Sequence, residues 1–182
     1  VPDAAASMPT VDSTGTVFTF HLRPGLKFSD GTPLTAADFA YSINRALDPN
    51  LCLVADAKAY PGAAQGSSVC NYLAWGPGNT GYLGHLVGAA DRAAGKVSNI
   101  ATGNGPDTGV IVEDPQTLEL RIDKPVQFFL DTLTYPTAAP VEQKLVNAYP
   151  GGMWVRHLDT GGCSGRFMVQ SYGNGTQMTL VR

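Results

Sequence analysis

The chain has 182 residues, which sets an expectation of about one domain. Hydrophobic residues make up 43% and charged residues 15%, so a substantial core is available and a low-complexity tail does not fit. A net charge of −3 without a basic patch argues against nucleic acid as a partner, and no apolar run approaches the roughly 18 residues that span a bilayer.

Residues 1–15 are small and polar and read as a leading segment. Phe18, Phe20 and Leu22 then alternate with Thr19, His21 and Arg23, which predicts a strand over 17–22 with one buried face. Pro24-Gly25 ends it, and Asp30-Gly31-Thr32-Pro33 is turn chemistry. Thr35 stands three residues before Asp38, the spacing of a capping-box-like helix start. Phe39, Ala40, Ile43, Ala46 and Leu47 give that helix one apolar face through 47, and Asp48-Pro49 closes it.

Residues 51–80 form a long mixed stretch with several glycine and proline breaks, a pattern more often functional or partly disordered than packed. Residues 82–94 read as one helix, and 98–107 as a polar connection. Val110 and Val112, then Leu118, Leu120 and Ile122, predict a hairpin turned at Asp114-Pro115. Pro125 starts a predicted helix through Phe128, Phe129 and Leu133, and Pro140 another through Val141, Leu145 and Val146. Phe167 and Val169, with Met178 and Leu180, predict a last hairpin around Gly173-Asn174-Gly175. Strands and helices alternate without a regular βαβ repeat, so the fold class is α+β, mixed, built mainly on antiparallel hairpins with interspersed helices.

Candidate chemistry is sparse. His21, His85 and His157 are scattered and read as surface histidines. Gly161-Gly162-Cys163-Ser164-Gly165 is not a nucleophile elbow, because Arg166 stands where the second glycine belongs. Cys163 has no neighbouring His or Asn in sequence. Gly103-Asn104-Gly105-Pro106 lacks the Lys-Ser/Thr of a phosphate loop and reads as a turn. Asp30, Asp38, Asp114 and Asp123 suit turns and helix starts better than paired acid–base work. No catalytic residue, metal site or cofactor is expected. Ligand contact is best assigned to Asn71, Tyr72, Trp75 and Tyr82, aromatic and amide groups in or beside the long stretch. The alternative is that they cover the helix beneath.

The run F-x-L-R-x-G-L-K-F-x-D-G-T-P-L-T-A-x-D-F-x-Y-S-I-x-R, from Phe18 to Arg45, resembles the hallmark segment of the family 5 extracellular solute-binding proteins of ABC importers, the oligopeptide, dipeptide and nickel type. Further blocks follow in order: HLVGAADRAAGK from His85, TGVIVEDPQTLELRIDKPVQFFL from Thr108, TAAPV from Thr137 and SGRFMVQSYGNGTQMTLVR from Ser164. Two departures stand out. Arg166 occupies a position where the family usually has proline, and residues 51–80 have no clear counterpart.

The resemblance implies a fragment of a periplasmic-binding-protein-like type II fold. Residues 1–148 would be a smaller-lobe subdomain and 149–182 the first strands of a main lobe, the remainder of the family's chain being absent. It implies capture of peptides, or of sugars, nickel complexes or other small solutes, by closure of two lobes, and then docking on ABC transporter membrane subunits. It also implies an extracytoplasmic protein, membrane-associated only through a lipid anchor not present in this chain, and an aromatic from the smaller lobe near the ligand. In such a protein a Cys52–Cys70 bridge is possible, worth about 3 kcal/mol, with free thiols as the alternative. A stand-alone extracellular interaction module, or less readily a hydrolase, are the competing classes.

Overall fold

The structure is a computed structural model that describes residues 3–49, 80–101, 108–150, 153–173 and 177–182. The expected contacts Asn71, Tyr72 and Trp75, the Cys52–Cys70 pair and the Gly103–Pro106 turn lie outside these residues.

Four antiparallel strands form the main sheet in the order β1 (Thr10–Val11), β2 (Val17–His21), β4 (Thr117–Arg121), β3 (Val110–Asp114). Phe18 pairs with Leu120 and Phe20 with Leu118, while Val110 and Val112 stand opposite the same two leucines. Directly paired residues share a face, so one side of the sheet is apolar. Thr19 and Glu119 mark the other side, where Arg121 Nε donates to Glu119 at 2.7 Å.

Strand β1 is a correction to the leading segment, whose composition shows no alternation. It forms because Asp12 builds the turn behind it. The Asp12 carboxylate accepts from the Thr16 and Val17 amides, both at 2.9 Å, and from the Thr14 hydroxyl. Those bonds, the Thr14 hydroxyl foremost, hold its pKa down at about 2.

Helix α1 (Ala36–Ala46) lies over the apolar side of β3 and β4. Its buried positions Ala36, Ala40, Ile43 and Leu47 recur at the helical period, as the sequence predicted. The Asp38 carboxylate reaches back to the Thr35 amide at 2.8 Å and the Thr35 hydroxyl at 3.0 Å. It thereby satisfies an amide at the start of the helix and sets a negative charge at the positive end of the dipole. Asp38→Ala is expected to lower stability by about 1 kcal/mol, read as a lower midpoint in urea at unchanged slope.

The helix expected over 82–94 is instead two short pieces, α2 (Thr80–Leu83) and α3 (Ala89–Ala93). Gly88, at φ 77°, takes a left-handed conformation between them. Here the sheet outcompetes local helix propensity. Leu86 bridges antiparallel to Ile122, and the Val87 amide donates to the Arg121 carbonyl at 2.9 Å. Arg92 on α3 is buried and pairs with Asp48 at 2.8 Å, tying α3 to the end of α1.

The helix expected from Pro125 contracts to one turn, α4 (Phe129–Thr132), followed by a 3-10 turn at Pro136–Ala138. Phe129 is fully buried and packs at 4.9 Å on Phe18. Helix α5 (Gln143–Ala148) begins three residues after Pro140, and a 3-10 turn, unsignalled in the sequence, follows at Met153–Arg156. The last hairpin forms as expected, from β5 (Met168–Gly173) and β6 (Gln177–Val181). It makes a separate two-stranded sheet. Val169, Met178 and Leu180 share one face by register, and Met178 and Leu180 are exposed on it.

Candidate functional site

Tyr82 is the one expected ligand contact among the described residues. It sits on α2, half-buried, beside the fully buried Leu83 that anchors this turn to the core. Its ring packs on Tyr135 with centroids 4.2 Å apart and planes inclined by 34°. Tyr135 is held in place by the 3-10 turn after it, where the Ala138 amide donates to the Tyr135 carbonyl at 3.1 Å.

Three residues beyond Tyr82, His85 meets Phe128 edge-on at 5.8 Å and 72°. The His85 carbonyl accepts from the Asp123 amide at 3.0 Å, so the strip beside β4 fixes this residue too. Phe128 is 55% exposed and Tyr135 is 49% exposed. Rings of this size usually bury themselves when nothing requires them outside. The result is an aromatic ledge, with α2 supplying one side and residues 128–135 the other. Flat apolar faces with hydroxyl and imidazole edges can stack on peptide planes and hydrogen-bond their rims.

Sequence reasoning missed Tyr135 and Phe128. A signal for Phe128 was present, since the period that turns Phe129 inward turns its neighbour outward. Tyr135 carries no such signal, because it meets Tyr82 only through the tertiary fold.

An apolar crevice of about 140 Å³ opens on the helix side of the sheet, between Phe20, Leu22, Leu118, Phe39, Ile43 and Leu133. Every side chain that lines it is apolar. It can take an apolar group but offers nothing to orient a polar one.

The other candidates behave structurally. His21 is exposed, with Nδ1 3.4 Å from the Thr117 hydroxyl. His157 stacks on Tyr149 at 3.6 Å. Residues 161–166 run as bends and irregular chain into β5. The Cys163 thiol is free and lies 3.7 Å from the Leu158 carbonyl. The Cys163 backbone exchanges two hydrogen bonds with Ser29, at 2.9 Å and 3.2 Å, which pins this segment to the turn before α1. Asp30 and Asp114 cap turns, accepting from the Thr32 and Gln116 amides at 2.8 Å and 2.7 Å.

Comparison with known proteins places this geometry in a wider context. The family model for bacterial extracellular solute-binding proteins, family 5 Middle, matches residues 1–182. The periplasmic oligopeptide-binding protein OppA of Escherichia coli K12 is 32% identical over 157 residues, covering 85% of this chain and 23% of that protein. The dipeptide-binding protein DppE of Bacillus subtilis is 25% identical over 179 residues, covering 98% and 27%.

Among solved structures, the pheromone receptor PrgZ matches with a TM-score of 0.70 at 27% identity, over 98% of this chain and 30% of that one. Haemophilus influenzae OppA in complex with the peptide RPPGFSPFR matches with a TM-score of 0.69 at 26% identity, over 100% and 29%. The chain thus spans about a quarter of the length of the curated relatives it matches.

Proposed function

Because the chain belongs to the bacterial extracellular solute-binding proteins of family 5, we propose that it is part of the substrate-binding component of an ABC importer that captures peptides outside the cell. The observation that carries this reading is agreement of sequence and shape along the whole chain with peptide-binding relatives, one of them solved with a peptide in place. Residues 1–148 are the smaller-lobe portion, and 149–182 begin the main lobe. The uncovered face of the β5–β6 hairpin supports that division. Met178 and Leu180, exposed beside the buried Val169, are the surface on which the rest of that lobe would pack.

In this reading the chain has no catalytic task, its location is extracytoplasmic, and its partners are the peptide and the importer's membrane subunits. A lipid anchor outside this chain supplies membrane attachment. Among the described residues no helix is long and apolar enough to cross a membrane. Capture works by closure. A peptide that touches both lobes only in the closed state shifts the population toward that state. The aromatic ledge contributes to the contact, with Tyr82 and Tyr135 as its centre; Asn71, Tyr72 and Trp75 are further candidates by sequence.

The test is calorimetry with a set of short peptides on the protein extended to its relatives' length. Saturable binding is expected there, and weak or no binding by the 182-residue chain alone, since half the cleft would be missing. Tyr82→Ala is expected to weaken binding by the extended protein about tenfold, in line with one lost aromatic contact. The reading fails if the extended protein binds none of the peptides, or if the short chain binds them equally tightly.

A further inference from the structure

Two stretches far apart in the chain are laced together beside Gly161. The Ser29 amide donates to the Cys163 carbonyl at 2.9 Å, and the Cys163 amide donates to the Ser29 hydroxyl at 3.2 Å. These bonds fasten the strap of residues 161–163 to the turn before α1. Glu142, the residue that opens α5, lies against the same strap and is 3% exposed. A Cβ added at Gly161 would stand 2.9 Å from Glu142 Oε2, 3.4 Å from the Asp30 Cβ and 3.5 Å from the Asp30 Cγ. Both carboxyls therefore meet at one buried backbone position. The next residue, Gly162, takes a left-handed φ of 80°, and its amide bonds the Glu142 carboxyl.

A side-chain hydrogen bond also joins Glu142 to Asp30. Ionised carboxylates only accept, so this bond exists only while one of the two carries a proton. The surroundings decide which. Asp30 accepts from the Thr32 amide and hydroxyl, both at 2.8 Å, and from Lys144 Nζ at 3.0 Å. These donors, the Thr32 amide first, hold its pKa at about 2. Burial, and then the Asp30 charge, push the Glu142 carboxyl above its ordinary range. The proton therefore rests on Glu142, which donates to the Asp30 carboxylate. Once it leaves, two like charges face each other where little water reaches them.

We propose that Asp30 and Glu142 share one proton and so form a pH-sensitive latch, which fastens residues 161–163 to the turn before α1 while the proton is bound and loosens them when it leaves. The other ionisable groups around the pair are Lys144 of α5, exposed and already on Asp30, and Tyr149 at the end of α5, with His157 stacked on its ring at 3.6 Å. The latch shares no residue with the aromatic ledge and does not depend on the importer reading. Its sign follows from the raised Glu142 carboxyl. Such a group contributes stability that is fully present below the ordinary carboxyl value and is lost as pH rises through the raised one.

The experiment is hydrogen exchange on the 182-residue chain from about pH 4 to about pH 8, read as protection factors, which divide out the intrinsic pH dependence of exchange. Protection of the Ser29 and Cys163 amides is expected to fall at least about tenfold across this range, while the Val87 amide in the main sheet keeps its protection. In Glu142→Gln the fall is expected to vanish. The Gln amide donates to Asp30 as the protonated carboxyl does, and it has no proton to lose in this range. Protection of the strap that does not change with pH, or the same fall in Glu142→Gln, overturns the proposal.

Should the variant fail to fold, carboxyl NMR of the unsubstituted chain decides the matter. The Glu142 midpoint is expected above the ordinary carboxyl range and at the pH where the strap loses protection. A midpoint in the ordinary range, or one that does not coincide with that loss, overturns the proposal.

Discussion

Phe129→Ala is expected to lower the stability of the chain by about 3–5 kcal/mol, a large share of what a domain of this size has. Phe129 has no exposed surface and lies against Phe18 at the centre of the sheet. Truncation removes the transfer energy of the ring and leaves a cavity that the strand beneath cannot close. The site is also poorly supported. Helix α4 has only four residues and too few internal hydrogen bonds to persist by itself. Its place on the fold rests chiefly on this ring, with Leu130 and Leu133 packed less deeply beside it. Chemical denaturation should show a lower midpoint, and the neighbouring Phe128→Ala, on an exposed ring, should cost far less. A loss below 1 kcal/mol at Phe129 would mean that residues 126–133 do not fold with the sheet.

Gly109→Ala is expected to cost about 3 kcal/mol, at the upper end of what overpacking usually costs. A Cβ at this position would stand 2.3 Å from the Val87 carbonyl oxygen and 2.9 Å from the Val87 nitrogen. Both are backbone atoms, so no rotamer change relieves the clash. The two strips must separate, and the bonds that join them would go first. These are the Val87 amide to the Arg121 carbonyl at 2.9 Å and the Arg121 amide to the Gly109 carbonyl at 2.8 Å. Because the same strip carries His85 and leads back to Tyr82, the substitution is also expected to disorder the aromatic ledge. Hydrogen exchange at the Val87 amide measures this directly. Unchanged protection in the variant would contradict the close approach.

The two predictions separate what the sequence shows from what it hides. Helix α1 was legible because three local signals agreed: the Thr35–Asp38 spacing, the apolar period and the proline that follows. The β3–β4 and β5–β6 hairpins were legible because each pairs with its own neighbour across a turn. The break between α2 and α3 was not. Its cause is Leu86 pairing with Ile122, which no local window contains. The site follows the same division. Tyr82 stood out as an aromatic at the edge of a long connection, but its partner Tyr135 lies 53 residues further along the chain.

The order of the main sheet carries a consequence for how the chain reaches its native state. Strand β2 finds its partner in β4, with residues 22–116 between them. Local pieces, such as α1 and the β3–β4 hairpin, can form within microseconds once released from synthesis. The central seam cannot, since closing so wide a loop must precede any reward from it. Lengthening the intervening stretch adds only a logarithmic entropy cost, about 0.6 kcal/mol per doubling. The architecture therefore trades speed of assembly for tolerance to insertions between α1 and β3.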